Sequence, residues 1–369
     1  MSRLADILRR IIDSHGPLDV GQFMALCAAH RGAGYYHRRE TIGLAGDFVT
    51  APEISQTFGE LLGLALAAFW QQTRPGGPIA LVELGPGRGT LMTDLWRATS
   101  RVPGFHAAVR AVHLVEISSS LRQLQERTLR GLPLVFHEDL AELPRDLPLY
   151  LIANEFFDSL PMRQFVRTGR GLQERRVATD ERGRFAFVLD PRPLPLASLE
   201  TAGLAEVPAG PGAVVEIAPA REALVADLAA RIAAQGGLAY ILDYGFDTPR
   251  WADTLQAVAR HRRVDPLAMP GEADLSSHVD FAALLRATRD SGTRRFGPIG
   301  QGRFLRRLGI ETRLATLAAR AGAAERTGLE AGVRRLIDPA AMGTLFKVLA
   351  IAGPGEDVPP GFTDDEERP

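Results

Sequence analysis

The chain has 369 residues, 46% hydrophobic and 24% charged, enough for one large domain with additions or for two domains. A formal net charge of −1 gives no general reason to expect a nucleic-acid partner, and no apolar run is long enough for an integral membrane segment. Cys27 is the sole cysteine and the eight histidines are scattered without zinc spacing, which excludes an intrachain disulfide and leaves no metal expected.

Residues 1–15 are amphipathic, with Leu4, Ile7, Leu8, Ile11 and Ile12 at helical spacing. An Arg-containing start of this kind is similar to a mitochondrial presequence, but presequences avoid acids and this one holds Asp6 and Asp13. A first domain helix is expected instead, and with it a cytoplasmic location ahead of the mitochondrial matrix. Residues 13–17 break that helix, and residues 19–30 and 58–72 carry two more. Between them, residues 35–60 are polar and turn-rich, and a loop of that length inside a domain is often functional. Residues 1–75 therefore read as a helical N-terminal extension with a lid-like loop at 35–60.

From residue 76 the pattern alternates. Strand candidates are 79–84, 112–116, 134–137 and 149–153, with helices at 90–100 and 118–129. This implies an α/β domain built on a mostly parallel sheet. Residues 163–188 change to short alternating runs with Gly169, Gly171 and Gly183 at turns, an antiparallel insertion. A proline-rich connection follows at 191–211. The core resumes with 214–217, a helix over 221–235 and an apolar strand over 238–242, so it spans 76–245 with an insertion at about 163–213. Loops and a helix over 281–291 lead to a late buried strand at 344–352, closing a third part, 246–352. The tail, 353–369, is proline-rich and acidic and reads as disordered.

The first strand ends in an acid and runs into alternating glycines: Glu83, Gly85, Gly87, Gly89. Strand, Gly-rich turn and helix form the first unit of a nucleotide-binding sheet, because glycine lets the backbone turn sharply and approach a ligand. A dinucleotide site wants G-x-G-x-x-G, and Thr90 breaks that pattern. The E-x-G-x-G-x-G form is instead the motif of S-adenosylmethionine (SAM) methyltransferases, which makes SAM the expected cofactor. In open parallel sheets the ligand lies beyond the carboxyl ends of the strands. Glu116 ends the second strand and can accept both ribose hydroxyls. Glu138-Asp139 follows the third strand, where a polar side chain, Asp139 foremost, can meet the adenine amino group or simply sit in a surface turn. Asn154 closes the fourth strand and joins the cofactor set.

The methyl acceptor is expected after that strand, where Asn154-Glu155-Phe156-Phe157 resembles the N-P-P-Y loop of amino-group methyltransferases without its prolines. Glu155 and Asp158 place two carboxylates beside two aromatics, which suits a cationic acceptor. A guanidinium is always charged and SAM carries charge at sulfur, so carboxylates are needed to offset the repulsion. Phe156 or Phe157 can stack on the guanidinium plane. Asp158 as a turn cap and the two phenylalanines as core residues are the competing readings. Asp47, Glu53, Gln56 and Glu60 crowd residues 46–60, a candidate lid, although Thr50 or Ser55 as a helix cap accounts for part of that segment. Asp243-Tyr244-Gly245 falls on the same edge of the sheet, and His278 is a candidate proton relay or a turn donor.

Taken together, residues 46–60 (GDFVTAPEISQTFGE), 82–90 (VELGPGRGT), 154–161 (NEFFDSLP), 242–245 (LDYG), 278–281 (HVDF) and 300–308 (GQGRFLRRL) resemble the MidA-like SAM-dependent methyltransferases. The first segment is the most specific. Mitochondrial members of that family are assembly factors for respiratory complex I. The resemblance implies a class I methyltransferase (Rossmann-like) sheet with extra helical parts. It also implies symmetric dimethylation of an arginine on the large catalytic-core subunit of complex I, here the matching subunit of an NADH–quinone reductase. Methylation of a small molecule or another amine is an alternative, as is a SAM-binding assembly chaperone with little catalysis.

Overall fold

The apolar runs pair into one large sheet. Its strands are β1 (Ile79–Leu84), β2 (Val109–Val115), β3 (Leu134–His137), β4 (Leu149–Asn154), β5 (Gly237–Phe246), β6 (Arg294–Gly300), β7 (Phe346–Ala352) and β8 (Glu367–Arg368). The computed structural model describes residues 3–37, 50–194, 203–204 and 207–369. Strand order is β8-β6-β7-β5-β4-β1-β2-β3, with Val279–Asp280 beside the end of β5. The five strands from β3 to β5 are mutually parallel, and β7 runs antiparallel between β5 and β6. This is the α/β, mostly parallel sheet expected, and β7 is the late closing strand. The chain departs in opposite directions from β1 and β4, which makes their junction the switch point where such sheets bind ligands.

Both faces of the central strands are buried, so their sequences are apolar throughout rather than alternating. One face carries Leu81, Leu114, Tyr150 and Ile152, beneath the long helices 56–73 and 90–99. The other carries Val82, Leu151 and Ile241, beneath the helix Pro219–Gln235. The helices on the first face pack very closely. A Cβ at Gly63 would sit 2.6 Å from Leu95 Cγ. Glu60, 1% exposed, ties these two helices together through Arg97 Nη1 at 2.6 Å and joins them to the helix Ile310–Ala318 through Arg313 Nε at 2.7 Å. Gln56, expected near the substrate, donates to Glu60 at 3.3 Å and serves this packing contact.

The N-terminal helices α1 (Arg3–His15) and α2 (Val20–Ala29) do not pack on the main sheet. Leu4, Leu8, Phe23 and Met24 pack with Met162 and Val177 of the insertion and Leu275. The insertion is antiparallel, as its turns predict. Residues 246–292 hold more than the loops expected: Gln256–Ala259, Arg262–Val264 and Asp274–Ser276 form a small antiparallel sheet. β6 escapes sequence reading because Gly297 and Pro298 interrupt its apolar run. Among the described residues no helix is long and apolar enough to cross a membrane.

The tail does not match the disorder read from its composition. β8 pairs with β6, Phe362 stacks on Tyr240 with ring centroids 6.4 Å apart, and Tyr240 donates to Pro360 O at 2.8 Å. Proline and acid content hid one aromatic anchor that fills a groove over Tyr240, Phe296 and Phe304. Phe362→Ala should therefore cost about 3 kcal/mol of unfolding free energy by urea denaturation. An unchanged midpoint would show that the tail adds nothing to the fold.

Candidate active site

Strand register sets the level of the site. Leu84 pairs with Val115 on one side and Ala153 on the other. One residue further along, Gly85, Glu116 and Asn154 emerge side by side at the carboxyl edge. Because side chains alternate across a strand, Glu83, Glu116 and Asn154 share the face of Leu81, Leu114 and Ile152. All three line one cavity of about 330 Å3, whose far wall includes Ala25, Ala28 and Tyr36 from the N-terminal extension.

The turn after β1 has φ of +60° at Gly85, +53° at Gly87 and +82° at Gly89, the left-handed region that glycine adopts without strain. A Cβ at Gly85 would lie 2.8 Å from the Phe156 ring, which also lines the cavity. Gly89 then N-caps the helix Thr90–Thr99.

Three buried side chains face this turn. Glu83 is pushed up to about 8 by burial, and its Oε2 has no partner among the described residues. Asn154 Oδ1 is likewise buried without a partner, while its Nδ2 donates to Glu155 Oε1 at 3.2 Å. Glu116 accepts from Ser118 N at 2.8 Å and from Gln125 Nε2 at 3.3 Å. Burial raises its pKa, and those donors together with Arg122 oppose the rise. A carboxylate has about four lone-pair sites, so roughly two remain for a ligand. Two orphaned acceptors, a spare carboxylate edge and an open glycine backbone fit a ligand with an ammonium group and a ribose.

Glu155 lines the same cavity, beside Asn154. Its φ is +49°, an uncommon conformation for a residue with a side chain. Its N donates to Leu242 O at 2.9 Å, and its Oε1 accepts from Ala51 N at 2.9 Å. Burial, with Asp158 adding, pushes its carboxyl up to about 7. Glu53 also lines the cavity and accepts from Thr90 Oγ1 at 2.5 Å, tying the Ala51–Ile54 turn to the helix after the glycines.

Several expected site residues lie elsewhere. Asp158 faces away from the cavity: its Oδ2 accepts from Tyr244 at 2.5 Å and its N donates to Asp243 Oδ2 at 3.1 Å. Phe157 is fully buried in the core on the other face of the sheet, and Phe156 takes the cavity position. The left-handed step at Glu155 changes which residues face inward, a shift that spacing does not reveal. Asp139 is exposed and caps a turn through Ala141 N at 2.8 Å, leaving Glu138 at the cavity wall. His278 lines a separate small cavity beside Arg221, its ring against Tyr244, and its N donates to Thr254 Oγ1 at 2.9 Å. Asp47 lies outside the described residues. Sequence reading missed Tyr36, which lines the cavity from an irregular turn, and Arg221, which sits on a helix with no local motif.

Residues 61–299 match the family model of S-adenosyl-L-methionine-dependent methyltransferases, Methyltransf_28. The mouse mitochondrial protein arginine methyltransferase NDUFAF7 is 35% identical over 92% of this chain and 82% of its own length. The Drosophila melanogaster homolog is 35% identical over 94% of this chain and 84% of its own. A COG1565 superfamily protein from Burkholderia thailandensis, crystallised with S-adenosyl-homocysteine, superposes with a TM-score of 0.86 at 31% identity, covering 99% of this chain and 95% of that one. The cytoplasmic location expected from Asp6 and Asp13 does not stand, because these curated relatives are named as mitochondrial proteins. The chain belongs to the SAM-dependent methyltransferase family and takes SAM as its cofactor.

Proposed function

We propose that this methyltransferase modifies arginine in a protein, by symmetric dimethylation, and that the acceptor is a subunit of NADH–quinone reductase. The observation that carries the reading is Glu155, held in a strained conformation at the cavity wall beside the ring of Phe156. The names of the mouse and fly relatives support arginine as the acceptor, and the family resemblance supports the complex I subunit. Ala25, Ala28 and Tyr36 of the N-terminal extension line the cavity and offer an acceptor-facing wall.

Bound SAM supplies a methyl group on a positively charged sulfur. Gly85, Gly87 and Gly89 would receive its amino-acid part, the unpartnered Glu83 Oε2 and Asn154 Oδ1 would accept from its ammonium, and Glu116 would hold the ribose hydroxyls. An arginine entering opposite brings a second cation. Two unit charges 4 Å apart at an effective dielectric of 20 repel by about 4 kcal/mol, so a carboxylate must offset them. Glu155 does so through Oε2, since Oε1 is already held by Ala51 N. Phe156 offers its face to the guanidinium plane. The attacking nitrogen sheds a proton as it is methylated. A carboxyl near 7 can take that proton at Oε2 and release it to solvent.

The test pairs binding with turnover. Glu155→Gln should bind S-adenosylhomocysteine within about threefold of the native protein yet transfer methyl at least 100-fold more slowly. Transfer is measured from labelled SAM into purified NADH–quinone reductase, with methylarginine sought by mass spectrometry. Equal loss of binding and transfer would refute the assigned role of Glu155, and label outside arginine would refute the acceptor.

Glu83 supplies a pH test. In the folded chain it keeps its proton up to about pH 8, against an ordinary 4.5. Across that interval the folded state binds more protons than the unfolded one. Its contribution to stability is therefore complete below pH 4.5 and lost as pH rises through 8. Relative to Glu83→Gln, the native protein should lose roughly 3–5 kcal/mol between pH 4.5 and 8 by denaturant unfolding. Parallel curves would show that this carboxyl is not desolvated.

A further inference from the structure

Gln125 lies on the helix Ser119–Thr128, and it is 0% exposed. It does not line the cavity. Its Nε2 donates to Gly87 O at 2.7 Å and to Glu116 Oε2 at 3.3 Å. One amide therefore joins the glycine turn after β1 to the acid after β2. Its Oε1 is buried and has no partner among the described residues. A buried amide oxygen without a donor weakens the fold, and an apolar side chain of the same shape would not carry that cost. Packing alone gives no reason for glutamine here.

We infer that Gln125 is a positioning residue for the cofactor, acting through Gly87 and Glu116; this rests on the cofactor placement proposed above. The C=O and N–H of a trans peptide point in opposite directions. Anchoring Gly87 O toward the helix thus aims the Arg88 N–H away from it, and Arg88 is a cavity residue. At Glu116 the two oxygens are tied separately, Oε1 to Ser118 N and Oε2 to Gln125. The carboxylate is left unable to rotate, with its remaining lone pairs committed in direction. Preorganisation of this kind lowers the ordering cost of binding without adding a contact to the ligand.

The experiment is a double-mutant cycle on S-adenosylhomocysteine affinity, measured calorimetrically with the full chain: native, Gln125→Leu, Glu116→Gln and the double variant. Each single variant should bind about tenfold more weakly. The double variant should lose clearly less than the product of the two, since Gln125 acts partly through Glu116. Native-like binding by Glu116→Gln would overturn the cofactor placement itself. Weakened binding by Glu116→Gln with native-like binding by Gln125→Leu would overturn the inference alone, as would fully multiplicative losses. A lowered melting temperature with unchanged affinity would assign Gln125 to folding only and overturn it too. Should Gln125→Leu fail to fold, Gln125→Met keeps the length of the side chain and has no donor for Gly87 O, and the same cycle with that variant carries the same expectations.

Discussion

The alternation of side chains along buried parallel strands is the constraint to which the site answers. β1, β2 and β4 are covered on both faces, so the register that pairs Leu84 with Val115 and Ala153 cannot slip by one residue without turning apolar side chains to the wrong layer. The same register fixes which polar residues meet at the carboxyl edge. Glu83, Glu116 and Asn154 fall on one face. Asp243 has the phase of Ile241 and falls on the other. A single geometric rule thereby separates the residues that line the cavity from the acid that braces it from behind.

That bracing explains how the acceptor loop holds its unfavourable conformation. Arg221, fully buried, spends its guanidinium on main-chain carbonyls: Nη2 reaches Asp158 O and Leu160 O at 2.9 Å each, and Nη1 reaches His278 O at 2.9 Å. Burial pulls the pKa of Arg221 down, while Asp158 and Asp243 nearby favour its charged form. Asp243 is pushed well above the usual carboxylate range by burial and by the Asp158 charge. Such a cluster survives only because its atoms are nearly all partnered, and breaking one member would leave charge stranded in a dry interior. The left-handed turn at Glu155 is over-determined from this side, the condition under which local strain persists at functional sites.

How much was legible in the sequence follows from the range of each signal. The glycine turn and Glu116 announce themselves because strand, turn and helix are local patterns. The directions of Asp158, Phe157 and His278 stay open in the sequence, because these residues lie outside the main-sheet strands, where alternation no longer predicts direction. One positive φ at Glu155 sends Phe156 to the cavity and Phe157 to the core. Glu60 and Gln56 sit in a segment that identifies the family, yet their contacts are with Arg97, Arg313 and each other. A distinctive motif can mark packing as readily as chemistry. Arg221 and Gln125 carry no motif at all, because their meaning lies in partners dozens of residues away.

Desolvation governs the ionisation of the cavity acids. Glu83 and Glu155 both line the cavity with carboxyls near 8 and 7, so near neutral pH neither is fully charged in a protein without ligand. A neutral ligand would leave both acids paying the full burial penalty on ionisation. A cation placed against either one stabilises its charged form, and the attraction is strengthened by the same low dielectric that suppressed ionisation. Burial raises Glu116 as well, and Ser118, Gln125 and Arg122 favour its charged form against that rise. What surrounds each carboxyl, rather than the residue type, decides how readily it ionises.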